Sequence, residues 1–440
     1  MSEPGGIRYA LRAFRHRDFR VFWMGALASN TGTWLSNLAV PYVLFQLTRS
    51  PVWVSLATVG QILPSVLVAP WGGSLADRHD RRRLLILTQA GMAVAATALW
   101  LLSTSGSARP GPIMVALIFT GLFNGANMPV WQAFTNDLVP REDLRSAVAL
   151  NSMQFQAARA LGPAIAGAII ALLSASWAFG LNALSFVCVL VALLTIRSRP
   201  QATTTVRSSV LRDFGSAVRY IRTQPGIQMA IVLSMLVGFF GNPIFTFTVV
   251  FAGDVFHVGA IGLGLMNAAL GVGCLIAAPL VAGSIPGLTL GRLTRVTLPL
   301  YGVAIGGFAL APGFLTGIPL LLLTGLCFMS VLSSANNAMQ MIVAAPMRGR
   351  VIGVRFVCFT AAVPIGSLLT GWEADTFGPR PAIASTGVAL LLIGVGLSVL
   401  DRGRRLGRLD DPNDDASPLG VGTTPALAVP QSGTAPSTLA

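Results

Sequence analysis

Long apolar runs recur along the whole chain, and each is long enough to cross the hydrocarbon core of a bilayer. A spanning helix needs roughly 20 consecutive apolar residues. Only helices satisfy every backbone polar group within a single span, so the pattern predicts a bundle of membrane helices. About six runs occupy the first part of the chain, at 19–46, 52–76, 84–104, 112–133, 148–173 and 176–196. About six more follow, at 227–251, 258–283, 296–314, 317–341, 348–372 and 380–400.

The composition excludes a water-soluble domain. Hydrophobic residues make up 53% of the 440 residues, and charged residues make up only 10%. A soluble core could not bury that much apolar surface. The basic excess, 30 Lys+Arg against 16 Asp+Glu, lies in short blocks between the apolar runs. It forms no aromatic-interleaved face of the kind that binds nucleic acid. The predicted fold class is therefore an all-α integral membrane protein that uses the lipid bilayer as its solvent.

The placement of arginine predicts the orientation, because basic residues beside membrane spans are retained in the cytoplasm. One side of the predicted bundle carries only Arg49, Arg109 and Arg380. We expect a multi-pass protein of a bacterial inner membrane, with both termini cytoplasmic. The other, cytoplasmic side would hold the basic residues of 8–20, 78–83, 141–145, 197–222, 292–295, 348–350 and 402–408.

These features divide the chain into a series of regions. A cytoplasmic segment, 1–18, precedes an N-terminal half of about six helices at 19–196, and a second such half occupies 227–400. The linker 197–226 carries apolar residues at helical spacing opposite arginines, which predicts an amphipathic surface helix. Residues 401–440 are rich in Pro, Gly, Ser, Thr and Asp. Such a segment buries too little apolar surface to fold, so we expect a disordered cytoplasmic tail.

The two halves share a weak internal repeat. The region from Gly121 to Gly167 aligns with the region from Gly325 to Gly371. In both, a glycine-containing span ends at a proline, an arginine-bearing turn follows, and the next span contains an internal proline and glycine. Repeats of this kind predict two pseudo-symmetric halves, with the substrate site between them near the middle of the membrane.

The polar link after the second run reads Gly-Ser-Leu-Ala-Asp-Arg-His-Asp-Arg-Arg-Arg, from Gly73 to Arg83. It resembles motif A of the major facilitator superfamily, with Asp80 where many members have glycine. Its acidic and basic pattern is similar to the branch that contains enterobactin exporters and macrolide efflux proteins. The stretches 137–144 and 158–163 resemble the same branch. The resemblance implies the major facilitator fold, in which twelve transmembrane helices form two six-helix halves.

In that family motif A forms a gate, which the resemblance assigns here to Gly73, Asp77, Arg78, Arg81 and Arg82. The aspartate of the motif is implied to hold the cytoplasmic side closed by contacting the start of the eleventh span. Asp77 could also accept hydrogen bonds from a helix N-terminus or pair with Arg78 or Arg82. The alternative is a simple positive-inside anchor, but an anchor needs only arginines and gives no reason for Asp77.

Arg159 is the basic residue that we single out as lying well inside a predicted span. A guanidinium at such depth costs at least ~2.5 kcal/mol unless it faces water, a partner or the interface. We therefore expect a cavity contact, a coupling role, or a gate pair with Asp137 or Asp143. Snorkelling towards the headgroups is the alternative.

The segment after Arg159 contains Gly162, Pro163 and Gly167, which resemble the end of motif C of proton-linked drug antiporters. Small residues let helix backbones approach closely, and proline permits bending. The segment thus favours export, although similar seams also occur in membrane helices of no particular function.

The first, fourth, seventh and tenth spans line the cavity in this family, and by resemblance their polar and aromatic residues are candidates for substrate binding. As a set, uncharged amides and aromatic rings suit a largely apolar ligand with a few polar groups. For any single asparagine, a hydrogen bond between helices is an equal alternative. The candidates are Asn30, Trp34, Asn37, Asn124, Asn127, Phe240, Asn242, Phe245, Ser333, Asn336 and Asn337.

Together these features predict a secondary active transporter that exports a small amphipathic organic compound, such as a drug, a siderophore or a secondary metabolite. By resemblance, the expected mechanism is proton antiport with alternating access, although no carboxylate lies near the middle of any predicted span. A proton-coupled importer and a transport-inactive sensor or scaffold are the alternatives. We expect a monomer with no enzymatic activity, cofactor or metal, because no Walker-type element, nucleophile-base constellation or metal-ligand spacing occurs.

Overall fold

Helices account for nearly all of the described part of the chain. The computed structural model describes residues 11–196, 210–281, 289–344, 347–400 and 404–410. Short 3-10 turns lie at Arg12–Arg15 and Arg141–Asp143. The helices of the first part are α1 (Arg17–Thr48), α2 (Pro51–Arg78), α3 (Arg81–Thr104), α4 (Pro110–Asp137), α5 (Leu144–Leu172) and α6 (Ala175–Thr195). They are followed by α7 (Val210–Arg222), α8 (Pro225–Val255), α9 (Gly259–Val281), α10 (Leu290–Leu310), α11 (Phe314–Ile342), α12 (Arg348–Phe377), α13 (Pro379–Val395) and α14 (Arg404–Gly407).

Among the described residues, 11 helices are long and apolar enough to cross a membrane. These are α2 to α6 and α8 to α13. The remaining long helix, α1, has 32 residues. Polar residues such as Asn30, Thr33 and Asn37 interrupt its apolar stretch, so composition alone does not select it as a span.

The loops place successive helices antiparallel, so the two ends of the bundle differ in charge. We call the end that holds Arg81–Arg83 and Arg141–Asp143 the basic face, and the end that holds Arg49 and Arg109 the far face. Arg49 adopts a left-handed conformation with φ 52°, which ends α1 and lets Pro51 start α2. Proline is well suited to that first position, because its missing N–H would be unpaired there anyway.

The packing within the first group of helices recurs in the second group. The pair α2 and α4 packs closely, and so does the pair α9 and α11. Gly121 of α4 lies against the backbone carbonyl oxygen of Gln61, and Gly325 of α11 lies against that of Leu270. The repeat in the sequence aligns these two glycines, and in the structure both allow close backbone approach within equivalent helix pairs.

The two groups touch each other through α5 with α9 and through α2 with α12. A Cβ on Gly167 of α5 would lie 2.6 Å from the Cα of Gly264 in α9. Gly371 of α12 lies against the side chain of Ser55 in α2. The second pair of glycines aligned by the repeat therefore also makes equivalent contacts, and both contacts lie towards the far face.

Polar contacts reinforce this junction at the far face. Ser50 donates a hydrogen bond of 2.8 Å to the Asp375 carboxylate at the end of α12. Arg49 lies 3.6 Å from the Asp254 carboxylate at the end of α8. The two helix groups are therefore joined at the far face.

Near the basic face, three glycines of α2 and α12 border open space. A Cβ built on Gly73, Gly349 or Gly353 would have no atom of the described residues within 4 Å. The close approach of α2 and α12 seen at Gly371 is thus not repeated at these positions.

The linker forms a helix, as its spacing predicts. In α7, Ala217 and Ile221 are buried, while Arg219 and Arg222 are exposed. The Tyr220 hydroxyl accepts a hydrogen bond from the backbone N–H of Ala344, which ties α7 to the end of α11. The earlier part of the linker, 197–209, lies outside the described residues.

Part of the predicted disordered tail is ordered, because 404–410 packs against the bundle. Leu406 and Leu409 are fully buried. Both Asp410 carboxylate oxygens lie 3.1 Å from the backbone N of Gly291, at the start of α10. Two buried leucines and a carboxylate at a helix N-terminus provide the stabilisation that composition did not indicate. Residues 411–440 lie outside the described part.

Candidate functional site

The link between α2 and α3 joins the basic-face ends of three helices. Nη1 of Arg81 lies 2.8 and 2.9 Å from the two carboxylate oxygens of Asp137 at the end of α4, and its Nε donates to the carbonyl of Ala76. The two charged side chains are only 13% and 11% exposed. Removing one partner of such a buried pair costs about 3–5 kcal/mol. The ion pair therefore holds α2, α3 and α4 together.

The neighbouring residues of the link fix α3 to α6. Arg82 donates hydrogen bonds of 2.6 Å to the carbonyl of Leu193 and 2.8 Å to that of Leu194, at the end of α6. Asp80 accepts from the backbone N–H groups of Arg82 and Arg83 and so caps the start of α3. This N-cap gives Asp80 a structural reason for standing where many relatives have glycine.

The other residues of the predicted gate lie at the end of α2. Gly73 borders open space, as described above. The backbone of Asp77 and Arg78 continues α2, while their side chains lie outside the described residues. A contact between Asp77 and the start of α12 therefore stays a prediction.

Arg159 lies halfway along α5, between the two helix groups. Its guanidinium carbon lies 5.6 Å from the ring centre of Phe245 in α8 and 5.3 Å from that of Phe328 in α11. Both distances are in the range of cation–π attraction. The helix begins at Leu144, earlier than predicted, which puts Arg159 about 22 Å along the axis from the helix start. The Arg159 side chain therefore does not snorkel to the headgroups at the basic face.

The structure forms neither of the predicted gate pairs of Arg159. Asp137 is paired with Arg81. Asp143 is paired with Arg12 at 3.1 Å and lies 2.8 Å from His16, so it fastens the N-terminal segment to the start of α5. Within the described residues, Arg159 forms no ion pair and no hydrogen bond, and its partners are the two rings.

The rings beside Arg159 are held by a small aromatic cluster. Phe245 and Phe328 meet edge to face at 4.9 Å, and Tyr301 of α10 meets Phe328 at 6.4 Å. The buried Tyr301 hydroxyl donates a 2.8 Å hydrogen bond to the carbonyl of Gly241. Gly241 ends a π-helical turn, Val237–Gly241, and such turns are frequent at functional sites. The cluster therefore anchors the ring faces against which Arg159 stacks.

A second interior cation, Arg355 of α12, was missed in the sequence. It donates hydrogen bonds of 2.9 Å to Oδ1 of Asn336 in α11 and 3.3 Å to the Ser234 hydroxyl in α8. Arg355 lies inside the predicted span 348–372, so the depth argument applied to Arg159 would have found it. Phe328 gave no such signal, since one phenylalanine among 23 is not distinctive in a membrane helix.

Three of the nominated amides form hydrogen bonds between neighbouring helices. The buried Asn127 of α4 accepts hydrogen bonds from Thr88 and Gln89 of α3, at 2.9 and 3.2 Å. Asn37 of α1 accepts from Gln61 of α2 at 3.3 Å. For Asn127 the structure thus shows the alternative role, a hydrogen bond that joins two helices, and Asn336 is similarly engaged by Arg355.

Other nominated polar side chains are half-buried and make no hydrogen bond to the described residues. Inside a helix bundle, such groups are available to water or to a ligand. They remain candidates for substrate binding. They are Asn30, Asn124, Asn242, Ser333 and Asn337.

The nominated aromatic residues separate into different places. Trp34 of α1 meets Phe155 of α5 edge to face at 6.4 Å, on the same helix as Arg159. Phe240 instead lines a cavity of about 220 Å³ between α8, α12 and α13. In that cavity Glu373 accepts a 2.7 Å hydrogen bond from Ser385. Phe240 and Phe245 therefore do not share one pocket wall.

The segment after Arg159 packs against a neighbouring helix on each of two sides of α5. A Cβ on Gly162 would collide with the side chain of Trp34. A Cβ on Gly264 would lie 3.2 Å from the carbonyl oxygen of Pro163 and 2.9 Å from the Cα of Gly167. The small residues thus let α5 approach α1 in its own group and α9 in the other group.

Comparison with known families identifies the chain. Residues 9–413 match the model of the transmembrane secretion effector family. The chain belongs to that family. It is a major facilitator superfamily protein of the enterobactin-exporter branch, as motif A indicated.

This family member is similar over nearly its whole length to curated exporters. It is 26% identical over 413 residues to the enterobactin exporter EntS of Citrobacter koseri, covering 92% of this chain and 96% of the relative. It is also 26% identical over 394 residues to EntS of Shigella boydii serotype 18, covering 86% and 91% of the two chains.

Solved structures share the fold at low sequence identity. A bacterial homolog of the human lysosomal transporter Spinster has a TM-score of 0.75 at 13% identity, covering 93% of this chain and 100% of that chain. A bacterial homologue of the iron transporter ferroportin has a TM-score of 0.67 at 16% identity, covering 87% and 99%. These likenesses support the predicted fold class.

Proposed function

We propose that this protein is a secondary active transporter that exports a small amphipathic organic compound, such as a drug, a siderophore or a secondary metabolite. The observation that carries the proposal is Arg159, which reaches from α5 to rings of α8 and α11 at the junction of the two helix groups. The similarity to enterobactin exporters supports export as the direction.

The proposed topology has α1 as the twelfth span, which completes two halves of six helices each. Supporting this, α1 packs along α5 and α6 in the middle of the first group. The equivalent glycine contacts of the two groups support their relation by a pseudo-two-fold axis. By the positive-inside rule, the basic face is cytoplasmic and both termini lie in the cytoplasm of a bacterial cell.

The proposed mechanism is alternating access. The junction at the far face, built by Gly167 and Gly371, would close the outer side while the substrate enters from the basic face. In the opposite state, Asp77 would hold the basic face closed against the start of α12. Substrate would bind between the halves, where Trp34, Phe245 and the available amides supply apolar area and orientation.

Proton entry is the proposed driving reaction, and a monomer is the proposed transporting unit. Carboxylates within the spans lie near helix ends, including Asp254, Glu373 and Asp375. The coupling proton would therefore bind near a face of the bundle. Collapse of the pH gradient should raise the accumulation of the exported compound in cells.

The experiment that tests the proposal compares a deletion strain with its parent by untargeted mass spectrometry of culture medium and cell extracts. We expect at least one compound to fall in the medium and rise in the cells on deletion, and complementation to reverse both changes. Trp34→Ala should complement poorly, while Trp177→Ala, at a 54% exposed position in α6, should complement fully. A compound that falls inside the deletion cells indicates import, and no difference in any compound refutes transport.

A further inference from the structure

Among the described residues, the positive charge inside the bundle has no negative partner at the same depth. Arg159 and Arg355 both lie within membrane helices, whereas the carboxylates of those helices lie near their ends. We propose that the central site binds an anionic amphipathic compound, with Arg159 as the residue that contacts its acidic group. This inference rests on the proposed transport function and narrows its substrate class.

The electrostatic state of Arg159 favours an anionic partner. A guanidinium in a membrane helix is costly unless a partner or water compensates it. The rings of Phe245 and Phe328 attract the cation but carry no net charge. Stacking also leaves the in-plane N–H groups unused, and none of them reaches an acceptor in the described residues. Those donors match the geometry of a carboxylate or a similar oxyanion.

The surroundings of Arg159 disfavour a cationic ligand at the same place. An aromatic-lined cavity can bind a cation through its ring faces or through a carboxylate. Here the protein's own Arg159 stacks on both rings. The acidic residues that could compete are engaged elsewhere, since Asp137 is paired with Arg81 and Asp143 with Arg12. A ligand cation would meet like charge at low dielectric, which disfavours its binding.

A second arginine lies between the basic face and the depth of Arg159. Arg355 lies nearer that face than Arg159 does, and Asn336 and Ser234 hold its guanidinium in place. A succession of fixed positive charges lowers the barrier for an anion that moves between the membrane surface and the interior. The positive charges at the basic face, at Arg355 and at Arg159 therefore favour an acidic substrate from the membrane surface to the central site.

An anionic substrate also agrees with the direction of export. An anion that leaves a cell with a negative interior moves down the electrical gradient, and 100 mV supports a ratio of about 50-fold for each charge. Proton entry moves charge in the same electrical sense. Both movements would therefore drive the export of an acid.

The test measures binding of a matched set of probes to the purified full-length protein in lipid nanodiscs. Dansyl-phenylalanine carries one carboxylate, dansyl-phenylalaninamide has the same bulk without charge, and dansylcadaverine carries an amine. We expect the acid to bind about 10- to 100-fold more tightly than the amide, the range that a hydrogen bond to a charged partner contributes. Arg159→Gln should remove this preference, and Arg159→Lys should retain part of it.

The control is Arg83→Gln, which removes the same charge at a position 87% exposed on the basic face, and it should leave the preference unchanged. The comparison of acid with amide in the unaltered protein needs no variant, so misfolding of Arg159→Gln would not block the test. Equal affinity for acid and amide, tighter binding of dansylcadaverine, or no saturable binding of any probe would each overturn the proposal.

The culture-medium experiment distinguishes failure of this inference from failure of the transport function. If deletion lowers the secretion of compounds that are neutral or cationic at pH 7, export stands and the anionic class is wrong. If deletion changes no compound, the transport function itself fails.

Discussion

Replacing Gly167 with alanine should prevent α5 and α9 from closing at the far face. The new Cβ would lie 2.6 Å from the Cα of Gly264 and 2.8 Å from the carbonyl oxygen of Ala260. Both are backbone atoms, so no change of side-chain rotamer can relieve the contact. Ordinary contact begins near 3.4 Å, so the helices would have to separate by about 0.8 Å or more. Overpacking of this kind costs about 1–3 kcal/mol.

The cost falls on the conformation in which the two groups meet at the far face. A conformation in which α5 and α9 are separated at this face does not carry this free-energy cost. The population ratio of the two conformations should therefore shift by about 5- to 150-fold. A transporter that must visit both conformations would lose turnover, while its insertion into the membrane should be unaffected.

The assay is a pulsed electron-spin measurement between labels at Leu173 and Leu315. Both positions lie at the far face, one in each helix group, and they are 60% and 82% exposed. Labels would be attached to introduced cysteines after removal of the native ones. In Gly167→Ala the distance distribution should move to longer values, and secretion of the exported compound should fall.

Gly306→Ala is the matched control, because a Cβ there meets no atom within 4 Å inside α10. It should leave both the distances and secretion unchanged. Wild-type distances and full secretion in Gly167→Ala would refute the claim that close contact at this glycine holds the far face closed.

Three further changes test other parts of the structure. Asp77→Asn should insert normally but transport poorly if its carboxylate stabilises one gate state, and full activity in reconstituted vesicles would rule out the gate. Asp137→Asn should lower the free energy of unfolding by about 3–5 kcal/mol by removing the carboxylate that pairs with Arg81 in a nearly buried site, whereas the double change with Arg81→Gln should recover part of the loss. Truncation after Arg408 removes the buried Leu409 as well as Asp410 and should lower the free energy of unfolding by about 2–4 kcal/mol, as judged by thermal unfolding beside a chain truncated after residue 411.

The positions of the spans follow from the sequence, because insertion in hydrocarbon depends on the length and polarity of each run by itself. The repeat could also be predicted from the sequence. Close approach of two helix backbones requires a small residue, and Gly121 and Gly325 occupy such positions in the two halves. The predicted helix in the linker formed for the same local reason, an apolar stripe opposite arginines. Motif A was recognisable because its residues lie next to one another in the chain.

The uses of individual polar side chains were decided by packing between helices that are distant in sequence. Asn127 and Asn124 look equivalent in the sequence, yet one joins α4 to α3 and the other is left available. The difference arises from the rotation of α4 about its axis, which is set by all of its neighbours together.

The interior arginines show most clearly which properties follow from the sequence and which depend on the tertiary structure. The sequence by itself determined that Arg159 lies deep in a membrane helix and therefore needs an explanation. Only the tertiary structure decided that its partners are Phe245 and Phe328, because the three residues come from separate helices of both groups. Contact between them depends on how the two groups dock at Gly167, and that docking is a property of surfaces that form only after each group has folded.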